Sequence, residues 1–325
     1  MGLRGALIRC GAALTALGIA ACSAFWNFER PNGALDSSDG VDASLPVEGG
    51  FADRATPCDG PVCPADARPE SDASFDVTDL PGLALWLEAS VGAVHVGANV
   101  SAWSDGSGKQ NHFAAFDPTR VPTFVPAGIN GRPAVRFDAQ VASCLAAPDA
   151  PTLRWGLDDF AVEIVAGYDN DPSGGEASGY GLLYGKTDPA FPYVGPAMFV
   201  NYAMPSPSTH LGGQVDVQHG IASLATMLND GKPRLYAMRR AAGLLEVRVN
   251  GTPALLDGKP PLDAASIDVS AVGSVALIGC SKPQGGPLIQ RLNGRIAEIV
   301  AVRGVLSAVD LARLEGHLRA KYALE

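Results

Sequence analysis

Arg234-Leu235-Tyr236-Ala237-Met238-Arg239 and Leu245-Glu246-Val247-Arg248-Val249 form the stretch that decides the fold. Ala241-Ala242-Gly243 lies between them and places a glycine where two strands would turn back. Short β-prone runs around such a tip read as a hairpin. Asn250-Gly251 follows at once as a second tight turn. Working outward, similar runs recur at Leu83–Leu87, Ala134–Asp138, Phe160–Ala166, Tyr180–Tyr184, Ala197–Tyr202, Val275–Ile278 and Ile296–Val302. Short strands broken by Gly, Pro, Asn and Asp predict an all-β antiparallel sandwich. One helix closes the chain. Ser307 is placed to cap it, with Asp310 three residues on. Leu311, Leu314, Leu318 and Tyr322 recur at helical spacing and would pack on the sandwich. Arg319 and Lys321 suit the last turn, where positive charge complements the helix dipole.

The charge is unevenly spread. The chain has 325 residues and a net charge of −10. Residues 27–80 hold 12 acidic and 3 basic side chains, so most of the excess sits in one segment rich in Asp, Ser, Gly, Ala and Pro. Such a segment buries too little apolar surface to offset its ordering entropy. It reads as a flexible stalk, on the order of 40 Å from end to end as an ideal coil. The domains expected are therefore a signal over 1–21, an acidic linker over 22–79 and a globular domain over 80–325. No basic patch stands out, so nucleic acid is excluded as an expected partner.

The first 21 residues carry Arg4 and Arg9 and then an apolar stretch too short to span a bilayer stably. The run ends in Leu17-Gly18-Ile19-Ala20-Ala21-Cys22, which resembles the lipobox of bacterial lipoproteins. That resemblance implies cleavage before Cys22 and a lipid anchor on its thiol. Several acyl chains together give firm membrane attachment. Ser23 after the cysteine implies the outer membrane of a Gram-negative cell envelope. Four further cysteines remain beyond Cys10 and Cys22. An even number in an exported protein suggests disulfides. Cys58 and Cys63 flank an Asp-Gly-Pro turn, which leaves Cys144 and Cys280 to pair across the domain. Two buried free thiols at Cys144 and Cys280 are the alternative.

Four motifs in order carry a second resemblance: Pro81-Gly82-Leu83-Ala84-Leu85-Trp86-Leu87-Glu88, Trp103-Ser104-Asp105-Gly106-Ser107-Gly108-Lys109-Gln110-Asn111-His112, Gly128-Ile129-Asn130-Gly131-Arg132-Pro133 and Leu292-Asn293-Gly294-Arg295-Ile296-Ala297-Glu298. Together they resemble LamG-like jelly-roll domains of the concanavalin A-like lectin superfamily. The resemblance implies a jelly roll, and function only coarsely, because that superfamily holds lectins, adhesion modules and polysaccharide-cleaving enzymes. Trp86 and Trp103 read as core aromatics. Asp105 and Asn111 read either as turn formers or as ligands of a calcium ion, since hard oxygen ligands on a sandwich loop suit that cation. Calcium is accordingly the one cofactor to test.

No paired-carboxylate run of the kind retaining glycosidases place on one strand face is present. The five histidines show no metal-ligand spacing. Binding residues concentrate on loops whose ends a sheet fixes. The long segments Asp169–Gly179, Met204–Gly213 and Ser281–Pro287 read as such loops. Tyr180, Tyr193, Tyr202 and His210 are the aromatics beside them and the candidate ligand-binding residues. The function expected is a non-enzymatic, surface-tethered module that binds carbohydrate or a surface protein. A glycosidase or lyase with a dispersed site, or a structural envelope protein, is the alternative.

Overall fold

The computed structural model describes residues 75–169, 180–201, 208–216, 219–226, 228, 230–254, 261–282, 284 and 286–325. Cys22, Cys58, Cys63, Tyr202 and the segment 170–179 lie outside them. The folded unit runs Phe75–Glu325. It begins slightly ahead of the expected boundary. Asp76 caps a 3-10 turn at Val77–Asp79 by accepting from the Thr78 N–H at 2.9 Å, and Val77 and Leu80 then enter the core.

The strands are β1 (Leu83–Glu88), β2 (Ala93–Val96), β3 (Asn99–Trp103), β4 (Phe113–Ala115), β5 (Thr123–Ile129), β6 (Arg132–Phe137), β7 (Leu145–Ala147), β8 (Phe160–Tyr168) and β9 (Tyr180–Gly185). They continue as β10 (Ala197–Asn201), β11 (Ser208–Gln214), β12 (Gly220–Thr226), β13 (Arg234–Ala241), β14 (Leu244–Val249), β15 (Thr252–Pro253), β16 (Leu262–Asp263), β17 (Ala276–Ile278) and β18 (Gly294–Arg303). One helix of more than one turn, α1 (Ala308–Lys321), follows.

All pairings are antiparallel and form two facing layers, joined where β3 pairs with β5 at Asn99 and Thr123. The first runs β5–β6–β18–β8–β13–β14. Along one edge, β18 pairs with β6 through Gly294–Ile296 and then with β1 through Glu298–Val302. The second runs β2–β3–β4–β7–β17–β9–β10–β11–β12. Alternate residues of each strand face inward. Leu85, Trp103, Phe113, Val162, Ile164, Met198, Met238 and Val247 therefore fill the space between the sheets. The opposite parity of β8, Ala161 and Val165, packs under α1 with Leu311, Leu314, Leu318 and Tyr322. The Ser307 hydroxyl caps α1 by accepting from the Asp310 N–H at 3.0 Å.

The β13–β14 hairpin forms as its sequence indicates. Ala242 and Gly243 both take left-handed φ, at 50° and 78°, and the Asp159 carboxylate accepts from both of their N–H groups. Met204–Gly213 differs from expectation. Residues 208–213 belong to β11, which pairs on both sides, so His210 stands on a strand and not in a loop. Gly213 shows why the polar, glycine-rich run is a strand. A Cβ there would lie 2.9 Å from Met238 Sδ and from Val247 Cγ1 of the facing sheet, so the close approach requires glycine.

Cys144 and Cys280 form a disulfide with a Cα–Cα distance of 5.5 Å. It sits on the outer face of the second sheet with Leu182, Ala197 and Leu277.

Candidate functional site

One end of the sandwich gathers the start of β8, the end of β9 and the end of β18. Two buried cations organise its loops. Arg240, on β13, is 1% exposed, and its guanidinium lies 5.5 Å from the Phe160 ring centroid. It donates to the carbonyls of Gly156 (2.8 Å), Ile267 (2.7 Å), Ala264 (3.3 Å) and Asp158. Lys186, directly after β9, is fully buried. Its Nζ donates to the carbonyls of Ser270 (3.0 Å) and Ala271 (2.8 Å) and meets Asp149 Oδ1 at 2.9 Å. Burial pulls the ammonium below the usual lysine range, while Asp149 opposes the shift. Asp149 is held well below the usual carboxylate range, first by Arg154 and then by Lys186 and the Gly273 N–H. A buried charge is tolerated only where its hydrogen bonds are made. Both cations meet that condition chiefly through backbone carbonyls of two segments, 156–158 and 264–271. Arg240→Met would remove the donor that reaches the Asp158 and Ile267 carbonyls, while Gly156 O and Ala264 O keep the N–H groups of Val269 and Ile267. The substitution is expected to cost roughly 3 kcal/mol, read as a lower urea midpoint, with Arg240→Lys less damaging.

At the same end opens a cleft of about 330 Å³. Thr78, Ser107, Lys109, Thr152 and Arg303 supply its polar lining; Leu80, Leu83 and Ala84 supply apolar wall. Arg303 pairs with Asp158 (2.6 Å), and both side chains are about half exposed. Thr152 links the cleft to the buried cations, since Arg154 follows it closely and binds Asp149.

The cleft is bounded by the loop that carries Asp105 and Asn111. These residues close the free edge of β1. Asp105 Oδ1 accepts from the N–H groups of Trp86 (3.0 Å) and Ser107 (2.9 Å). Its Oδ2 accepts from the Ser107 hydroxyl (2.8 Å) and the Asn111 N–H (2.9 Å). Asn111 Nδ2 donates to Ala84 O at 2.7 Å and pairs with the Thr152 hydroxyl at 2.9 Å. An edge strand leaves backbone groups unpaired, and this loop satisfies them. Four donors occupy the four lone-pair directions of the Asp105 carboxylate, the arrangement of a turn former. Among the described residues no group of three or more His, Cys, Asp or Glu side chains is placed to hold a metal ion. Asp105→Ala is expected to lower stability by about 2–3 kcal/mol. Adding or chelating calcium is expected to leave the melting temperature of the parent chain unchanged.

Of the candidate aromatics, Tyr193 lies apart from Tyr180 and His210, and Tyr202 is outside the described residues. At the opposite end of the sandwich, Tyr180, Asn201 and His210 lie in one register row across β9, β10 and β11. Tyr180 is buried, with its ring edge-on to Phe199 at 5.3 Å, and burial raises its pKa. Tyr193 lies beyond the other end of β9, in the 186–196 loop that Lys186 anchors. The β9–β10 pairing, not proximity in sequence, decides which of these residues meet.

Glu163 is the single acid of β8. It is 1% exposed, on the face of β8 that α1 covers, and neither carboxylate oxygen has a hydrogen-bond partner. Burial pushes its pKa well up, and Glu315 adds to the shift against the opposing pull of Arg248 and Arg239. Glu298, equally buried, is fully served by Trp86 Nε1 (2.7 Å), Lys321 Nζ (2.8 Å) and the Tyr322 hydroxyl (2.9 Å).

No protein-family model and no curated protein matches the sequence. Solved structures do. The binding domain of Paraclostridial Mosquitocidal Protein 1 aligns at a TM-score of 0.51 and 10% identity, covering 74% of this chain and 52% of that one. The botulinum neurotoxin serotype G binding domain aligns at 0.48 and 12%, covering 73% and 51%. Domain 4 of AbnA, a GH43 extracellular arabinanase from Geobacillus stearothermophilus in complex with arabinotriose, aligns at 0.47 and 12%, covering 73% and 100%. The chain thus spans about half the length of the two toxin domains. At these identities the likeness is one of fold alone, an antiparallel β-sandwich.

Proposed function

We propose that this chain is a non-enzymatic carbohydrate-binding module held at the cell envelope by a lipid on Cys22. The observation that carries the reading is the rim just described. A cleft lined by three hydroxyl side chains and two cations opens beside loops that Lys186 and Arg240 hold in one shape. Sites that bind small polar ligands are mostly preformed and place a few polar groups on an apolar wall. Fixed loops reduce the ordering cost of binding. The Cys144–Cys280 disulfide supports export, because such bonds persist in oxidising compartments. Glu163, the carboxyl with a raised pKa among the described residues, lies beneath α1 and out of reach of a glycosidic oxygen, which favours binding over hydrolysis.

The test is a panel of soluble polysaccharides and arrayed glycans presented to the purified full chain. Binding to at least one glycan, weakened by Lys109→Glu, is expected. Binding only to protein partners in pull-downs would replace carbohydrate with a surface protein as the ligand. For the anchor, Cys22→Ser is expected to abolish labelling by a radioactive fatty acid and to move the chain from the membrane to the soluble fraction.

A further inference from the structure

We propose that Phe191 is a stacking platform for the C–H face of a pyranoside, presented by the loop between β9 and β10. The proposal rests on the carbohydrate reading above and adds to it a contact residue and a mode of contact. Phe191 is 73% exposed, more than any other large aromatic side chain among the described residues. A lone exposed aromatic is ordinary; one on a braced loop is not.

The bracing is continuous. The ladder extends past the strand ends through Lys186 N–H to Pro196 O (2.8 Å) and Asp188 N–H to Val194 O (2.7 Å). The tip is closed by Ala190 N–H to Asp188 Oδ1 (2.8 Å) and Tyr193 N–H to Ala190 O (2.7 Å). Gln284 N–H donates to Pro189 O at 3.1 Å and ties the tip to the following rim loop. Pro189 and Pro192 each fix φ. At the base, buried Lys186 joins the loop to Ser270 and Ala271. Tyr193 adopts a left-handed φ of 60°, a conformation that bulky residues keep only where the surroundings impose it. Its ring stands edge-on to Phe191, with centroids 6.0 Å apart and planes at 80°.

A largely exposed ring that a second ring supports, on a hydrogen-bonded loop, is suited to a flat apolar ligand surface. The C–H face of a pyranose is such a surface, and weak C–H contacts to an electron-rich ring face favour it. The backbone pairing of Gln284 with Pro189 sets an exposed amide residue beside the platform for the ring hydroxyls. A lipid headgroup surface fits less well. Asp188 sits at the base of the tip, and the nearby cation Lys282 rests 5.9 Å from the Phe116 ring centroid.

The experiment uses the full chain, Phe191→Ala and Phe191→Trp on the same panel of cellulose, xylan, β-1,3-glucan, arabinan and chitin oligosaccharides, with calorimetric titration of any that bind. Phe191→Ala is expected to lose at least tenfold in affinity at an unchanged melting temperature, and Phe191→Trp to retain binding. Glycan binding by Phe191→Ala within twofold of the parent would overturn the platform and leave the carbohydrate reading standing. No binding of the parent chain to any member of the panel would overturn both. Loss in Phe191→Ala of binding to phosphatidylcholine–phosphatidylglycerol vesicles, with glycan binding intact, would reassign the loop to a lipid surface.

Discussion

Replacing Cys144 and Cys280 together with serine is expected to lower the stability of the folded unit by about 5 kcal/mol. The bridge closes a sequence separation of 136 residues, so its chain-entropy effect on the unfolded state is near the top of the usual range. For a domain of this size that corresponds to a fall of roughly 10–20 °C in melting temperature. Both sulfurs are held in the bond, so alkylation of the denatured chain without reduction should label neither cysteine in intact-mass measurement. A double-serine variant melting within a degree or two of the parent would show that the bond contributes little. The bridge joins the segments flanking β7 and β17 on the outer face of the second sheet.

The second large effect runs the other way. Glu163→Leu is expected to stabilise the protein at neutral pH by about 1–3 kcal/mol, since it removes a buried carboxyl with no partner while keeping similar volume. The pH dependence identifies the cause. Burial raises the folded-state pKa of Glu163 above its unfolded value. Between those two values the native state binds a proton that the unfolded state has released, so stability falls as pH rises. The slope from this one group reaches at most about 1.4 kcal/mol per pH unit. The advantage of Glu163→Leu should therefore be small near pH 4 and grow upward, as read from urea midpoints across the range. Arg248 and Arg239 on the sheet, and Glu246 and Glu315 beside them, are the charged groups facing Glu163, and their own pairs persist in the variant. A gap that is constant with pH would assign the effect to packing instead.

The fold was legible wherever strands are β-branched or aromatic and end in a glycine turn. The β13–β14 hairpin, β8, β18 and α1 with its Ser307 cap all follow from local pattern. β11 was not legible, because Ser208–Gln214 is polar and rich in glycine; its strand character comes from two neighbouring strands and a facing Met238. The cysteine count pointed to the Cys144–Cys280 pair through parity and not through any local signal. Asp105 and Asn111 read as turn formers or as calcium ligands, because one sequence does not say whether a carboxylate faces N–H groups or a cation. Lys186, Arg240 and Phe191 gave no warning. An isolated Lys or Arg normally reads as solvent-facing, and burial of these two depends on carbonyls from segments more than 20 residues away. Phe191 would ordinarily be assigned to a core, and only the ordered loop turns it outward.

Lys186 and Arg240 have a consequence for where such a surface can work. A loop cluster shaped by a bound divalent ion exists only while the ion's concentration exceeds its dissociation constant. Here the positive charges that gather the loop carbonyls are covalently part of the chain. Dilution does not remove them, competing chelators do not strip them, and scarce or fluctuating mineral supply does not change their occupancy. The rim carries its own cations, so these loop carbonyls are satisfied by the chain itself.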